Sequence, residues 1–484
     1  MNDDKRDVTL EEIASLCKRR GFIFQGSEIY GGLAGTWDYG PLGVALKRNI
    51  MQLWWKMFVE ERDDMYGVDA AILMNQKVWQ ASGHVDTFTD PLVECSNCHS
   101  RFRADQIDTS KCPTCGKTGT FGPAKQFNMM FETFIGPTAS SGRDKFMDSM
   151  GVIRDKLHAE NFDNNNVKNM QGLFRDFAQG TEEYVSGMIA AQVYLRPETA
   201  QGIFTNFKNV VDSFYPDVPF GLAQQGKAFR NEISPRDFVF RSREFEQMEI
   251  EYFVHPEKWE EAFEKWRVNV HEWCDALGLP KEKVHELEVP EEDRAHYSKR
   301  TIDFEFDFPH GKHELLGLAY RTDFDLRNIE RVSGKTMEYQ PKDGTARFVP
   351  HVIEPSFGVE RAIMAVLASA YCEDELNGEK RIVLKLPKHL APVKAAVSPL
   401  LKNKPELVEK AREVYTMLHK ELGAVTWDDN ANVGKRYRRS DEIGVPAHVT
   451  IDFQTLEDNT VTIRDRDTAT QTRVTIEDLA ESLK

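Results

Sequence analysis

Apolar residues recur three and four apart over residues 44–65 (VALKRNIMQLWWKMFVEERDDM), which predicts a long amphipathic helix. A shorter helix is predicted over 9–20 (TLEEIASLCKRR), with Thr9 as N-cap and Glu12 three residues on. A glycine-rich stretch, Gly31 to Gly43, separates the two. From residue 189 the pattern changes to short β-rich runs at 193–195, 220–223, 238–240 and 248–253, joined later by 301–308 and 313–320. Adjacent antiparallel strands are the simplest arrangement for such runs. A Trp-rich amphipathic helix over 257–277 and an apolar helix from Val359 to about Tyr371 accompany them.

The composition shifts to charged residues near 375–385, which predicts a domain boundary. Beyond it the pattern reads strand (393–397), helix (405–422), strand (424–427), basic helix (433–443), strands (447–453 and 459–464) and helix (475–483). Alternation of this kind suggests a small α/β domain on a mixed sheet. The expected organisation is therefore α+β: an antiparallel domain over 1–375 and an α/β domain over 381–484. The first carries a cysteine-rich insert at 94–121 and a polar, Asn-rich variable insert at 140–188.

With 484 residues, 40% hydrophobic and 29% charged, the chain has ample material for several packed cores. The longest apolar run, Ala362 to Cys372, is too short to cross a bilayer. The charged start, Met1 to Asp7, lacks the apolar stretch of a secretory signal. Seven cysteines in no regular framework fit a reducing, cytoplasmic setting. The net charge of −16 is unevenly spread: residues 381–440 hold 13 basic and 6 acidic residues. That basic face weakens any exclusion of nucleic acid based on the total.

Three clusters carry candidate chemistry. Arg230, Arg241 and Arg243 lie among alternating acids and aromatics over 229–251. Strand alternation would set Arg241, Arg243 and Phe245 on one face, with Glu246 on the other. Such arginines suit a phosphate, although an exposed salt-bridged hairpin fits equally well. In Glu354-Pro355-Ser356-Phe357-Gly358-Val359-Glu360-Arg361 a turn delivers a helix with an arginine in its first turn. The dipole disfavours a cation there, which hints at an anionic ligand, the alternative being an ordinary exposed arginine. The third cluster is Leu195-Arg196-Pro197-Glu198. Separately, Cys95-x2-Cys98-x13-Cys112-x2-Cys115 has the spacing of a tetrahedral Zn²⁺ site, the alternative being free thiols. His310 and His313 read as a satisfied polar turn, and Trp54-Trp55 as core or interface.

The pair Phe-Arg-x-Glu (229–232) and Arg-x-x-x-Phe-x-x-x-Glu (Arg241, Phe245, Glu249) resembles motif 2 of class II aminoacyl-tRNA synthetases; Gly358 to Arg361 resembles their motif 3. YGGLAGTWDYGPLG (30–43), RPETAQGIF (196–204), EPSFGVER (354–361) and VGKRYRRSDEIG (433–444) resemble the glycine-specific, dimeric type within that class. Motif 1 departs from the class pattern, since no proline closes the strand after the long helix, and motif 3 keeps only Gly358 of its usual glycine-rich approach.

The resemblance implies a class II catalytic sheet, a C-terminal anticodon-binding domain, and an ATP-dependent ligase that activates glycine and passes it to tRNA. It places Arg230, with Asn231 and Glu232, and Arg361, with Gly358, Val359 and Glu360, at ATP, the two arginines as catalytic groups. Phe240, Arg241, Ser242, Arg243, Glu244 and Phe245 complete the nucleotide contacts, while Glu314, Leu315 and Glu360 flank ATP and Mg²⁺. The glycine set is Arg103, Glu198, Phe245, Glu246, Gln247, Met248, Glu249, Glu354, Pro355, Ser356, Phe357 and Gly358. Its acids would read the ammonium, and steric closure around Ser356 would exclude a side chain. Lys435, Arg436, Tyr437, Arg438 and Arg439 are expected to meet tRNA. Zn²⁺ on the four cysteines, a homodimer and no membrane partner complete the expectation. An RNA-binding subunit without activity should lack Arg230 and Arg361, and both are present.

Overall fold

A computed structural model describes residues 8–136, 146–148, 150–152, 154, 155, 167–376 and 378–483. Two compact units emerge, one of Met1–Ala70, Ile203–Lys227 and Ser234–Lys484, the other of Ala71–Gly202 and Ala228–Ile233.

The first unit is built on a sheet of seven strands among the described residues: β1 (Met65–Gly67), β2 (Phe220–Phe229), β3 (Glu244–Val254), β4 (Val284–Glu288), β5 (Arg300–Phe308), β6 (Gly311–Thr322) and β7 (His351–Gly358). Their order is β4-β5-β6-β7-β3-β2-β1. The β4–β5, β5–β6, β6–β7 and β7–β3 pairs are antiparallel as expected, whereas β1 runs parallel to β2. Alternation sets Met248, Ile250, Tyr252 and Val254 of β3 into the hydrophobic core, which leaves Gln247, Glu249 and Glu251 on the opposite face. The core side is covered by the helices Pro41–Trp55, Trp259–Ala276 and Val359–Ala370, whose Trp54, Trp266, Trp273 and Ile363 are buried in one cluster.

Several predicted elements differ. The long helix ends at Trp55, passes through a π-helical turn over Lys56–Glu60 and gives way to β1, because the strand must turn back onto β2. Residues 238–240 form a 3₁₀ turn entered through left-handed Asp237 and Phe238, so the arginines of that region are not on a strand. Within the insert placed at 140–188, 167–191 is helical; residues 137–145 and 156–166 lie outside the described residues.

The residues expected to form the boundary are an antiparallel hairpin, Tyr371–Leu376 with Glu379–Leu384. Beyond it a five-stranded sheet runs Val425–Trp427, Ala395–Pro399, Ala447–Ile451, Thr460–Asp465, Gln471–Thr475, parallel at its first two pairings and antiparallel afterwards. Of the helix expected over 475–483 only Leu479–Ser482 is helical: Thr475 ends the last strand and a turn follows it.

In the second unit the cysteine-rich insert rests on the strands Thr89–Glu94, Arg101–Arg103 and Lys125–Asn128. No described helix is long and apolar enough to cross a membrane.

The glycine-rich stretch is a packing device. Gly40 donates its N–H to Phe22 O at 2.9 Å, and a Cβ on Gly43 would fall inside the Phe22 carbonyl oxygen. Gly43→Ala is expected to destabilise the fold by about 1–3 kcal/mol, the usual range for overpacking. Gly434→Ala, where a Cβ meets ordinary contact 3.7 Å from Asn432 Oδ1, should instead stabilise its helix by up to about 1 kcal/mol. Urea denaturation of both variants checks the contrast.

Candidate active site and metal centre

The polar face of the sheet is organised by Arg321, whose side chain is 1% exposed. Its Nε and Nη2 donate to Asp325 Oδ2 and Oδ1 at 2.8 and 2.9 Å, and its Nη1 donates to Glu354 Oε1 at 2.7 Å. The guanidinium also stacks 3.7 Å from the Tyr297 ring centroid. Glu249 lies opposite Ser356 in the β3–β7 register and accepts the Ser356 hydroxyl at 2.7 Å. The face therefore brings together Glu249, Glu354 and Ser356 from the expected glycine set. It adds Glu251 and Arg321, which the sequence reading missed; a lone arginine inside an apolar strand was the available signal.

Strand alternation excludes others. Glu246 points to the opposite face, where Lys47 Nζ meets its Oε2 at 2.8 Å, so it does not join Glu249. Met248 and Phe357, expected at glycine, and Leu315 and Val359, expected at ATP, have their side chains in the hydrophobic core. Glu360 is buried as well: its Oε2 accepts the Glu246 N–H at 2.9 Å and its Oε1 accepts the Tyr39 hydroxyl at 3.4 Å. It clamps the helix Val359–Ala370 to β3 and to Tyr39. Burial pushes its carboxyl up to about 7.

The Arg361 guanidinium lies 4.7 Å from the Phe240 ring centroid and contacts Glu314 Oε2 at 2.9 Å. Burial, reinforced by Glu314, raises Asp303 to about 7. Both carboxylates stand over Gly317, each with an oxygen 3.9 Å from where a Cβ would project. Arg361, Phe240, Glu314 and Asp303 thus form a half-open cluster that pairs a cation and a ring with acids. Arg241 and Arg243 precede β3, contrary to the one-face expectation. Arg241 bridges to Arg236, and Arg243 Nη1 donates to Ala34 O at 3.0 Å, which holds the glycine-rich loop. Ser242 is buried and donates to Val239 O, while Phe245 is half-buried as the second residue of β3, after Glu244, which pairs with Lys227. His310 is no satisfied turn residue: it stacks on His313, and neither ring nitrogen has a hydrogen-bond partner among the described residues.

In the second unit, Arg230 Nε donates to Pro197 O at 3.1 Å, and its guanidinium lies 5.5 Å from the Phe88 ring. The Asn231 N–H bonds Met129 O, and the Glu232 N–H bonds Arg230 O. Glu198 sits 3.3 Å from His84 Nε2, and Arg103 joins Asp90 and Asp105, each at 2.8 Å.

The four cysteine sulfurs lie within 4.8 Å of one another, with Cys95–Cys115 at 3.8 Å and Cys98–Cys112 at 3.7 Å. A tetrahedron with Zn–S bonds of about 2.3 Å has S–S edges of about 3.8 Å, so the donor set fits Zn²⁺. Each pair is followed by a left-handed residue, His99 and Gly116, whose N–H bonds the carbonyl of the first cysteine (Cys95 O at 2.8 Å, Cys112 O at 2.9 Å). The Thr120 hydroxyl lowers the Cys95 thiol to about 6, towards the thiolate a metal needs.

The basic run of the C-terminal domain splits around its helix, Val433–Glu442. Arg436 is 1% exposed and donates to the carbonyls of Pro399, Asp429, Asn430 and Ala431, which corrects its expected role at RNA. Tyr437 packs on His448 and bonds Thr450, and Arg439 grips Asp428. Lys435 and Arg438 stand further out, Arg438 paired with exposed Glu379.

Glu360 generates a pH prediction. Its folded value, about 7, lies above the ordinary 4.5, so folding binds a proton between those limits. Its contribution is fully present below pH 4.5 and is lost as pH rises through 7. Glu360→Gln should remove a loss of about 3 kcal/mol, read as the difference between wild-type and variant denaturation at pH 5 and pH 8.

Comparison with known proteins places these features. Residues 188–370 match the tRNA synthetase class II core domain (G, H, P, S and T), and residues 394–484 match an anticodon binding domain. A glycine–tRNA ligase of Clostridium tetani is 46% identical over 476 residues, covering 98% of each chain. The glycine–tRNA ligase of Clostridium acetobutylicum is 46% identical over 100% of this chain and 99% of its own, and that of Borrelia garinii subsp. bavariensis is 44% identical over 99% and 97%. The chain belongs to the glycine–tRNA ligase family of class II aminoacyl-tRNA synthetases.

Proposed function

We propose that the protein is a glycine–tRNA ligase that joins glycine to the α-phosphate of ATP, expels pyrophosphate, and transfers glycine to the 3′ end of its tRNA. The observation that carries this reading is the polar face on which Glu249, Glu354 and Ser356 converge around buried Arg321. Acids held in place by a guanidinium and a hydroxyl suit an ammonium on a substrate that offers little else. Catalysis consists of positioning and charge stabilisation. Arg361, free to turn from Glu314 to phosphate, neutralises the outer phosphates, and the Phe240 ring backs its guanidinium. Arg230 takes the α-phosphate and the activated carboxylate, with Glu198 and Arg103 in the same unit as further substrate contacts. Mg²⁺ would be held by Glu314 together with phosphate oxygens and would neutralise charge on the triphosphate.

Zinc would be held by Cys95, Cys98, Cys112 and Cys115 and would supply folding energy to the insert, since four thiolates leave no open position. Residues 1–375 form the catalytic part and 381–484 the anticodon-binding part, with Lys435 and Arg438 as the outward cations of its basic helix. A cytoplasmic homodimer completes the reading. The edge strand β1 and a concavity of about 900 Å³ lined by Arg62, Tyr252, Lys258 and Trp266 offer a second copy a place to dock.

Amino-acid-dependent ATP–pyrophosphate exchange, run with all twenty amino acids and no tRNA, tests the ligase reading. Exchange with glycine alone is expected; exchange with another amino acid sinks the glycine pocket, and none with any amino acid sinks the ligase. Arg361→Gln and Arg230→Gln should each lower the glycine kcat/KM by about 10²–10³. Metal analysis should find one zinc bound to the four cysteines, and Cys112→Ser should lose it together with the thermal stability of the insert.

A further inference from the structure

Glu251 is fully buried on β3, and neither of its carboxylate oxygens has a hydrogen-bond partner among the described residues. In the β3–β7 register, Glu249 pairs with Ser356 and Tyr252 with Ile353, which sets Glu251 directly opposite Glu354. Opposed residues on one face of an antiparallel pair have Cβ atoms about 4.5–5.5 Å apart. Glu249 follows on the same face two residues earlier along the strand. The charged groups facing Glu251 are therefore Glu249 from its own strand, Glu354 from β7, Arg321 from β6, and Asp325 from the helix Phe324–Ser333. Arg321 is the one cation of this set, and its N–H groups already bond Asp325 and Glu354.

We propose that Glu251 is a specificity-determining residue of the amino-acid pocket: it carries a proton while the pocket is empty and releases it to solvent when an ammonium group settles against Glu249 and Glu354. The pocket then exchanges a proton for the substrate's cation. The inference rests on reading this face as the glycine site.

Like charges this close cannot all ionise in a buried setting, and the acid without hydrogen bonds is the one that stays neutral. Burial first, and then Glu354, holds Glu251 well above the usual carboxylate range. An ammonium beside Glu249 and Glu354 cancels their repulsion on Glu251 and favours its ionised form. By linkage, glycine binding tightens as pH rises through the range in which the empty pocket is still protonated. A neutral ligand of the same size brings no cation and releases no proton, so the exchange selects for charge as the closed pocket selects for size.

Calorimetric titration of glycine into the full chain, in phosphate and in Tris at one pH, counts the protons released from the dependence of the heat on buffer ionisation. Wild type is expected to release up to about one proton per glycine. Glu251→Gln should release none, lose the pH dependence of its glycine KM, and show a KM raised about tenfold at pH 8, as for a lost charge contact. No release from wild type overturns the proposal. So does release that persists in Glu251→Gln, which would assign the proton to Glu360 or Asp303. Infrared spectroscopy of the wild type at pH 9, where Glu360 and Asp303 are ionised, keeps the test open if the variant does not fold: a protonated-carboxyl band is expected in the empty protein and should weaken with glycine, and its absence overturns the proposal. Failure of the glycine reading itself would show differently, as the carboxyl band present but no glycine-dependent pyrophosphate exchange.

Discussion

A guanidinium buried within a sheet admits few arrangements of its surroundings. Arg321 satisfies its donors with Asp325 and Glu354, and the Tyr297 ring covers its face. Removing one partner of such a group costs about 3–5 kcal/mol, because the charge remains where water cannot reach it. The requirement fixes more than one side chain. Asp325 must lie in the first turn of the helix that follows β6, and left-handed Thr322 makes the tight exit from the strand that brings it there. Glu354 must face the same side, which fixes the register of β7 and with it the position of Ser356 against Glu249.

Strand periodicity made part of this legible without coordinates. The alternation over 244–254 separates Glu249 from Glu246, and the structure assigns the two to opposite faces, one beside Ser356 and the other beside Lys47. Periodicity also marked the Trp-rich helix and the apolar helix after Gly358. It could not show that Glu251 opposes Glu354, or that Glu360 reaches back to Tyr39, because such pairings join residues about 100 to 320 positions apart and depend on register. A resemblance names positions; it does not say which of them contribute a side chain and which only backbone, as Met248, Leu315, Phe357 and Val359 show.

The basic run at 435–439 makes the same point for a helix. Successive residues are turned by about 100°, so five consecutive positions sweep the whole circumference and some must face inward. Arg436 is the inward one, where it binds three carbonyls of the segment before its own helix and the Pro399 carbonyl at the end of a strand. Counting charges finds the run, whereas the helical phase decides which cations solvent, or an RNA backbone, can meet. The Cys-x2-Cys pairs were legible for the opposite reason: their chemistry is local, and the turn that converges each pair is encoded within five residues.

The close approach of Gly43 to the Phe22 carbonyl also bears on how this part of the molecule opens. The backbone of residues 21–22 accepts N–H groups from Gly40 and Leu42, and the helix beginning at Pro41 touches it with no side chain between them. Such contact leaves no slack: the helix cannot separate from the strand Ile23–Gln25 without breaking the bonds that also anchor the end of the helix Leu10–Arg20. Opening there couples the two helices through one backbone seam, and the same segment supplies Tyr39 and Lys47 to Glu360 and Glu246.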